Sequence, residues 1–571
     1  MRFIKILDSG VRLKIKRIFL LVVLRESLSD LVAFVRRFSE GISLSQENSH
    51  IKGVNLDRLS HVVNENKLPQ SKQKFVLLDQ FPIPQWLVIN SFIAKKIAHD
   101  LSAIPAVFTF RAPSKLSRAI HSAFGLTNFL TIPLNVATYL RVKSEYRKIL
   151  TYLNDGRPLI DYEIDGIPIG LDVYESVLRL GRVTVSLSDW QTYRVIYSAL
   201  KQYCYFEDLF TSNRILVVLV SHDNYVGPGL LAHMAFRFKV PVLLANPISL
   251  SMPTTPFQLY EKFKFFRNYA NELEPKELLL GKDWARKELQ KRLEGKIGVG
   301  MDYQVKSAFT KERIERQTAD TNTTKVLILT HDFFDNPHGY GRMLFADFSL
   351  WLEFLGELSN ETIYEWYIKP HRDYSELESS TIASFVKKFP NIKIINPETS
   401  YHQLREEGVE FVLTCYGSAG HELPLLGFTV VNSSYNPHYA YNFNIHAKSL
   451  LDYRRIIMNL STLKFRDFDL EEIYEYYFIQ KKFVENDTLM GISQEELSRI
   501  MEGNPYGEKV FEYLAENIEL IHSHIESTVR NTVSSRLVYS YESVLPMKSR
   551  LMVSTDLSNH EFYKSFSSDY L

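Results

Sequence analysis

The chain has almost no cysteine: Cys204 and Cys415 are the two in 571 residues. Two distant cysteines make neither a disulfide framework nor a zinc spacing, and they fit a reducing compartment. Charge of one sign is also missing. Lys and Arg number 67 against 66 Asp and Glu, a net +1, so no global field points to nucleic acid, which is not an expected partner. No G-x-G-x-x-G follows an expected strand, which disfavours a dinucleotide dehydrogenase, and a P-loop is absent. No internal repeat of 20–50 residues is visible. The apolar run IFLLVVL (18–24) is far short of the about 20 residues that span a bilayer. It also lacks the length and cleavage site of a signal peptide.

What the N-terminus does carry is Arg12, Lys14, Lys16 and Arg17 before that run and Arg25 after it. This is a basic amphipathic helix with two readings. It docks on an anionic membrane surface, or it packs on its own domain. Aromatics are plentiful, with 32 Tyr and 37 Phe; they suit a carbohydrate-facing surface and core packing equally. Apolar content of 45% and charged content of 23% are those of a globular protein, and the length exceeds one ordinary core.

The pattern along the chain predicts five segments. Residues 1–72 hold the basic helix and a polar linker. Residues 73–267 read as a Rossmann-like domain, with strands KFVLLDQ (74–80), AIPAVFTF (103–110), RILVVLVS (214–221) and PVLLAN (241–246). Residues 268–323 are charged and helical, an interdomain connection. In 324–460 strands at 325–331, 364–370, 392–396, 409–415 and 428–433 alternate with helices at 342–357, 376–388, 400–407 and 420–427. Such alternation implies a parallel sheet with helices on both faces. Residues 461–571 read as a helical C-terminal extension with a polar tail. The predicted fold class is therefore α/β and GT-B-like: two Rossmann-like domains facing a cleft, the first presenting an acceptor and the second a nucleotide-sugar donor.

Candidate chemistry gathers at strand ends, where parallel α/β sheets bind ligands. The loop HDFFDNPHGYG (331–341) offers His331, Asp332 and His338 beside Gly339, with amides suited to an anion; otherwise it is a plain polar turn. Lys369 and His371 stand where another strand meets its loop and suit a phosphate. The turn Gly417-Ser418-Ala419-Gly420 opens a helix with His421 and Glu422. Glu422 would accept ribose hydroxyls, or simply favour the helix dipole. Asn436 and His438 lie in an Asn/His/Tyr-rich loop whose neutral donors and aromatic faces suit a sugar. In the first half Asp172, Glu175, His222 and Asp223 are candidate bases for an acceptor hydroxyl, though Glu175 could instead pair with Arg179. Asp467-Phe468-Asp469 has a D-x-D form, but its place before a helix favours capping over metal. No metal and no cofactor is expected; the nucleotide-sugar is a substrate.

These segments also carry a resemblance. YEIDGIPIGLDVYESVLR, VSHDNYVGPGLLAHMAFRFKVPV, ILTHDFFDNPHGYG, WYIKPH, CYGSAGHELPLLG and YNPHYAYNFNIH resemble bacterial surface-carbohydrate and capsule polysaccharide biosynthesis proteins over roughly residues 160–460. Relatives of that family include transferases using CMP-activated acidic sugars such as Kdo. The resemblance implies a GT-B glycosyltransferase acting on a glycan or lipid-linked glycan. Its location would be cytoplasmic, or peripheral on the inner face of the cytoplasmic membrane. In related transferases a His-Pro pair helps bind CMP; here Lys369-Pro370-His371 runs on to Arg372, and Leu171 separates Gly170 from Asp172. The rivals are a nucleotide-sugar epimerase of the same architecture and a non-catalytic scaffold of an assembly complex.

Overall fold

A computed structural model describes most of residues 74–484, with short internal gaps, and scattered residues between 500 and 527. The basic N-terminal helix, Asp467 and Arg372 lie outside the described residues. Among the described residues twelve strands form two six-stranded sheets. The first takes β1 (Phe75–Asp79), β2 (Ile104–Phe108), β3 (Asn128–Leu130), β4 (Ile215–Val220), β5 (Val242–Ala245) and β6 (Leu250–Ser251), in the order β3-β2-β1-β4-β5-β6. Only the short edge strand β6 runs antiparallel there. The second takes β7 (Lys325–Leu329), β8 (Glu365–Lys369), β9 (Ile392–Ile394), β10 (Val409–Thr414), β11 (Thr429–Asn432) and β12 (Ile445–His446), all parallel, in the order β12-β11-β10-β7-β8-β9. The fold is α/β and GT-B-like.

Continuous apolar strands such as ILVVLV and KVLIL form because both faces of each sheet are covered. Side chains alternate between two cores. Leu77 and Val218 enter one, while Val76, Leu78, Val217 and Leu219 enter the other. In the second sheet Val326 and Ile328 separate in the same way from Leu327 and Leu329. At about 25 cal/mol per Å² of apolar area buried, these sandwiched strands supply the main driving force of each half.

The helix expected over 342–357 instead runs Phe348–Glu361. Asp347 caps it, accepting the Leu350 N–H at 2.8 Å, which fixes the start. Met343 and Phe345 are used in the core ahead of it. Asp347 also ties the two halves together. It accepts hydroxyl hydrogens from Tyr174 at 2.6 Å and Thr184 at 2.7 Å, both from the first half. The helix Pro275–Leu293 packs along the helix Glu471–Phe478, with Trp284 stacked on Tyr477 at 5.8 Å. Asp469 accepts the Glu471 N–H at 2.9 Å, a capping contact before that helix. Further on, Ile521 is buried in the core of the first sheet. Among the described residues no helix is long and apolar enough to cross a membrane.

Candidate active site

Each sheet has one place where its strand order reverses. In the first the chain leaves β1 toward β2 and β3, and leaves β4 toward β5. In the second it leaves β7 toward β8 and β9, and β10 toward β11 and β12. Ligands of open α/β sheets bind beyond the carboxyl ends of such strand pairs. His222 follows β4 and His331 follows β7, so an imidazole stands at each of the two mouths.

The two mouths approach each other. Arg179, ending the helix Ile169–Arg179, lies 3.9 Å from Asp335 of the second domain. Burial raises the Tyr225 hydroxyl pKa, and the charges of Asp335, Glu175 and Asp332 raise it further. Tyr416, just past β10, is raised by burial and then by Asp335, Tyr340, Cys415 and Tyr225. Tyr225 and Tyr416 thus share one electrostatic environment drawn from both domains.

At the second mouth the geometry assigns the His331 tautomer. Its Nε2 lies 3.3 Å from the N–H groups of Cys415 and Tyr416, both of which donate to it, and 2.9 Å from the Thr414 hydroxyl. Nε2 is therefore the acceptor and Nδ1 carries the hydrogen. Burial, with the nearby charge of His371, lowers its pKa to about 3, so the ring is neutral at physiological pH. Its Cε1–Nδ1 edge faces Gly417: a Cβ built there would lie 3.2 Å from Cε1 and 4.0 Å from Nδ1. Gly417 has φ +132°, a conformation that favours glycine. A neutral N–H donor beside a glycine turn is a suitable seat for a phosphate oxygen. Asp332 is exposed and accepts the Phe334 N–H at 2.8 Å, shaping the loop. His371 is exposed near His331, and Gly339 lies on the same loop as Asp332, part-exposed.

Several expected donor residues turn inward instead. Glu422 does not reach a ribose. Its carboxylate lies 2.7 Å from Arg292 with both side chains 3% exposed, and it accepts the Ser418 hydroxyl at 2.9 Å. Burial pushes its pKa up, but Arg292 and His421 outweigh that and hold it below the usual range. His421 and His438 face each other, Nδ1 to Nε2 at 3.0 Å, against Tyr476. Gly420 serves packing, since a Cβ there would come within 2.4 Å of His438. Asn436 is buried and accepts the His438 N–H at 2.8 Å. The physical reason is common to all. The helix after the glycine turn, Ala419–Glu422, has four residues, and its inner face is sealed by the helices Pro275–Leu293 and Glu471–Phe478. His338 is likewise buried, its Nε2–H directed at the Ala346 carbonyl at 3.2 Å. Lys369 is committed to the Pro397 carbonyl at 2.7 Å, over the Tyr401 ring; its ammonium braces the loop after β9.

Two of the four candidate bases are also sealed. Asp172 is fully buried against His233, with Nδ1 and Oδ2 3.1 Å apart, which removes it from the cleft. Glu175 is fully buried in the same helix, and its charge raises the Tyr225 hydroxyl. His222 and Asp223 are half-buried on the loop after β4. Asp79, Ser221, Tyr225 and Tyr416 were not singled out by sequence. The polar residue closing the apolar run of β1 was the available signal for Asp79. Among the described residues no cluster of His, Cys, Asp and Glu is arranged to hold a metal ion.

No family model matches the chain, and no curated protein does. Solved structures resemble it only distantly. One is Thermosulfurimonas dismutans KpsC, beta Kdo 2,4 transferase, at 14% identity and TM-score 0.29, covering 48% of this chain and 85% of that one. A glycosyltransferase from Rickettsia africae has 11% identity and TM-score 0.23, covering 80% and 99%. UDP-GlcNAc 2-epimerase from Neisseria meningitidis, bound to UDP-GlcNAc, has 12% identity and TM-score 0.22, covering 78% and 98%. At such scores these likenesses carry no argument about activity.

Proposed function

We propose that the chain is a glycosyltransferase moving a sugar from a nucleotide-activated donor to a growing bacterial surface polysaccharide. The observation that carries this reading is the pair of facing strand-order reversals, each with an imidazole at its mouth. The donor phosphate would sit at the end of β7 and β10, against the His331 Nδ1–H and the amides of the Gly417 turn. These donors are fixed before the reaction, so they stabilise charge that develops on the departing phosphate without reorganising. The acceptor hydroxyl would come from the first domain, where a base after β4 takes its proton. The resemblance to capsule biosynthesis proteins supports a nucleotide-activated sugar as donor and a surface glycan as acceptor.

A thermal-shift screen of the full chain with CMP, UDP, GDP and their sugar conjugates tests the reading. One nucleotide class is expected to raise the melting temperature selectively. At 100-fold its dissociation constant, a ligand adds about 2.7 kcal/mol of stability. No shift with any nucleotide would remove the transferase. Donor turnover without any acceptor would instead establish an epimerase.

A further inference from the structure

The mouth of the first sheet holds a linked set of three side chains from two adjacent strand ends. β1 and β4 pair in parallel, with Leu78 opposite Leu219, which brings Asp79 beside Ser221. Asp79 is buried. It accepts the Ser221 backbone N–H at 3.0 Å with one oxygen and the Ser221 hydroxyl with the other. A hydroxyl has one hydrogen to give, and Ser221 gives it to Asp79. What His222 Nδ1 meets 3.1 Å away at Ser221 Oγ is then a lone pair. Nδ1 must carry the ring hydrogen, and Nε2 keeps its own lone pair.

The ring is also clamped in place. It stacks on Trp86, with centroids 5.0 Å apart and planes within 2°, and Phe81 packs at 4.5 Å. Nε2 makes no hydrogen bond to a described residue, and the side chain is only half-buried. Indole and phenyl thus hold the imidazole by its faces and Ser221 meets its Nδ1 edge.

We propose that Asp79 and Ser221 are positioning residues that hold His222 in the Nδ1–H tautomer, making its Nε2 the general base for the acceptor hydroxyl. This deepens the glycosyltransferase reading and rests on it. In the step, the acceptor O–H bond breaks and its proton goes to Nε2. The oxygen's electron pair forms the new bond to the anomeric carbon. The bond from that carbon to the donor phosphate breaks, and its electrons leave with the nucleotide. The imidazolium so formed keeps its Nδ1–H on Ser221, whose hydroxyl remains on Asp79, so the buried carboxylate stabilises the charge at one remove. Solvent takes the proton after product leaves.

Burial shifts both groups. Burial, then the charge of Arg179, lowers His222 to about 4, so the base is unprotonated at physiological pH. Burial raises Asp79 to about 7 against the opposing hydrogen bonds from Ser221. Above that value Asp79 accepts from Ser221. Below it, a protonated Asp79 donates to Ser221, which can then donate to Nδ1 and reverse the tautomer. Arg179 from the helix Ile169–Arg179 is the charged group acting on His222. Tyr225, 6.4 Å away, and the uncharged Phe81 and Trp86 also face it.

The test is nitrogen NMR of the full chain labelled at histidine, with the His222 signal identified by its loss in His222→Gln. At pH 8.5 the Nδ1–H tautomer is expected. Ser221→Ala should convert it to the Nε2–H form or a mixture, and Ser221→Thr should restore it. An Nε2–H tautomer in the parent protein, or no change in Ser221→Ala, overturns the relay. This reading needs no substrate, so it can fail while nucleotide binding by the second domain stands, and the reverse also holds. The role as base is read from release of CMP, UDP or GDP from the matching sugar nucleotide. His222→Gln should lower that turnover at least about 100-fold with nucleotide binding unchanged. Retained turnover would overturn the assignment.

Discussion

Arg292→Met is expected to destabilise the protein by about 3–5 kcal/mol, because it leaves the Glu422 carboxylate buried without its charge partner. Arg292 donates to Glu422 from the last turn of the helix Pro275–Leu293, and its guanidinium also lies 5.1 Å over the Phe309 ring. Neither side chain has water to fall back on. The double variant Arg292→Met/Glu422→Gln removes both charges and should recover much of the loss, since a neutral pair avoids the desolvation cost. Urea denaturation of the two single variants and the double measures this coupling. Nucleotide affinity should be unchanged in whatever remains folded. If Glu422→Gln kept full stability and lost nucleotide affinity, Glu422 would be a ligand after all.

Acid should unfold this protein well above the range where its carboxylates titrate. His121, His338 and His421 are buried, and burial lowers each to about 4; buried His438 is lowered further by burial and by its neighbours His421 and His446. The unfolded chain takes up these protons near pH 6.5 and the folded chain does not. Stability is therefore fully present above the unfolded value and is lost as pH falls from about 6.5 toward about 4. Each such group removes up to about 1.4 kcal/mol per pH unit. Asp79 and Asp347 oppose this, since burial raises both carboxyls and the folded state takes up their protons first. Burial also lowers His222, His331 and His446 and raises Asp335, so among the described residues seven imidazoles stand against three carboxyls, a net loss of up to about 5 kcal/mol per pH unit, against a total of about 5–15 kcal/mol for a typical domain. Calorimetry at pH 7.5, 6.5, 5.5 and 4.5 should show the melting temperature falling steeply across the last three. A flat profile would mean that the imidazoles are hydrated rather than sealed.

The strands of both sheets were legible because burial on two faces writes continuous apolar runs, as in KVLIL of β7. β3, β6 and β12 were not, since two or three residues carry little periodicity. Helix starts depend on single side chains: the apolar MLFA before Asp347 looks helical in a string, and the cap decides otherwise. The candidate site was half legible. Loops at strand ends show in sequence as polar residues after apolar runs, which located His222 and His331. Which way a loop residue points depends on what packs behind it. The segment after Gly417 faces helices more than 50 residues away in either direction, so its histidines and Glu422 look like ligands in the string and prove to be core. Asp79 went the other way, since a carboxylate ending a strand reads as a solvated end until Ser221 is seen beside it.

The proposed function requires a nucleotide phosphate at the β7–β10 mouth. Calorimetric titration of the nucleotide chosen by the thermal-shift screen, into the parent protein and into Gly417→Ala, tests it most directly. A Cβ at Gly417 would crowd the His331 edge and strain the turn, so affinity should fall by at least about 10-fold, the equivalent of 1.4 kcal/mol. Equal affinity in a folded Gly417→Ala protein would place the nucleotide elsewhere and contradict the claim.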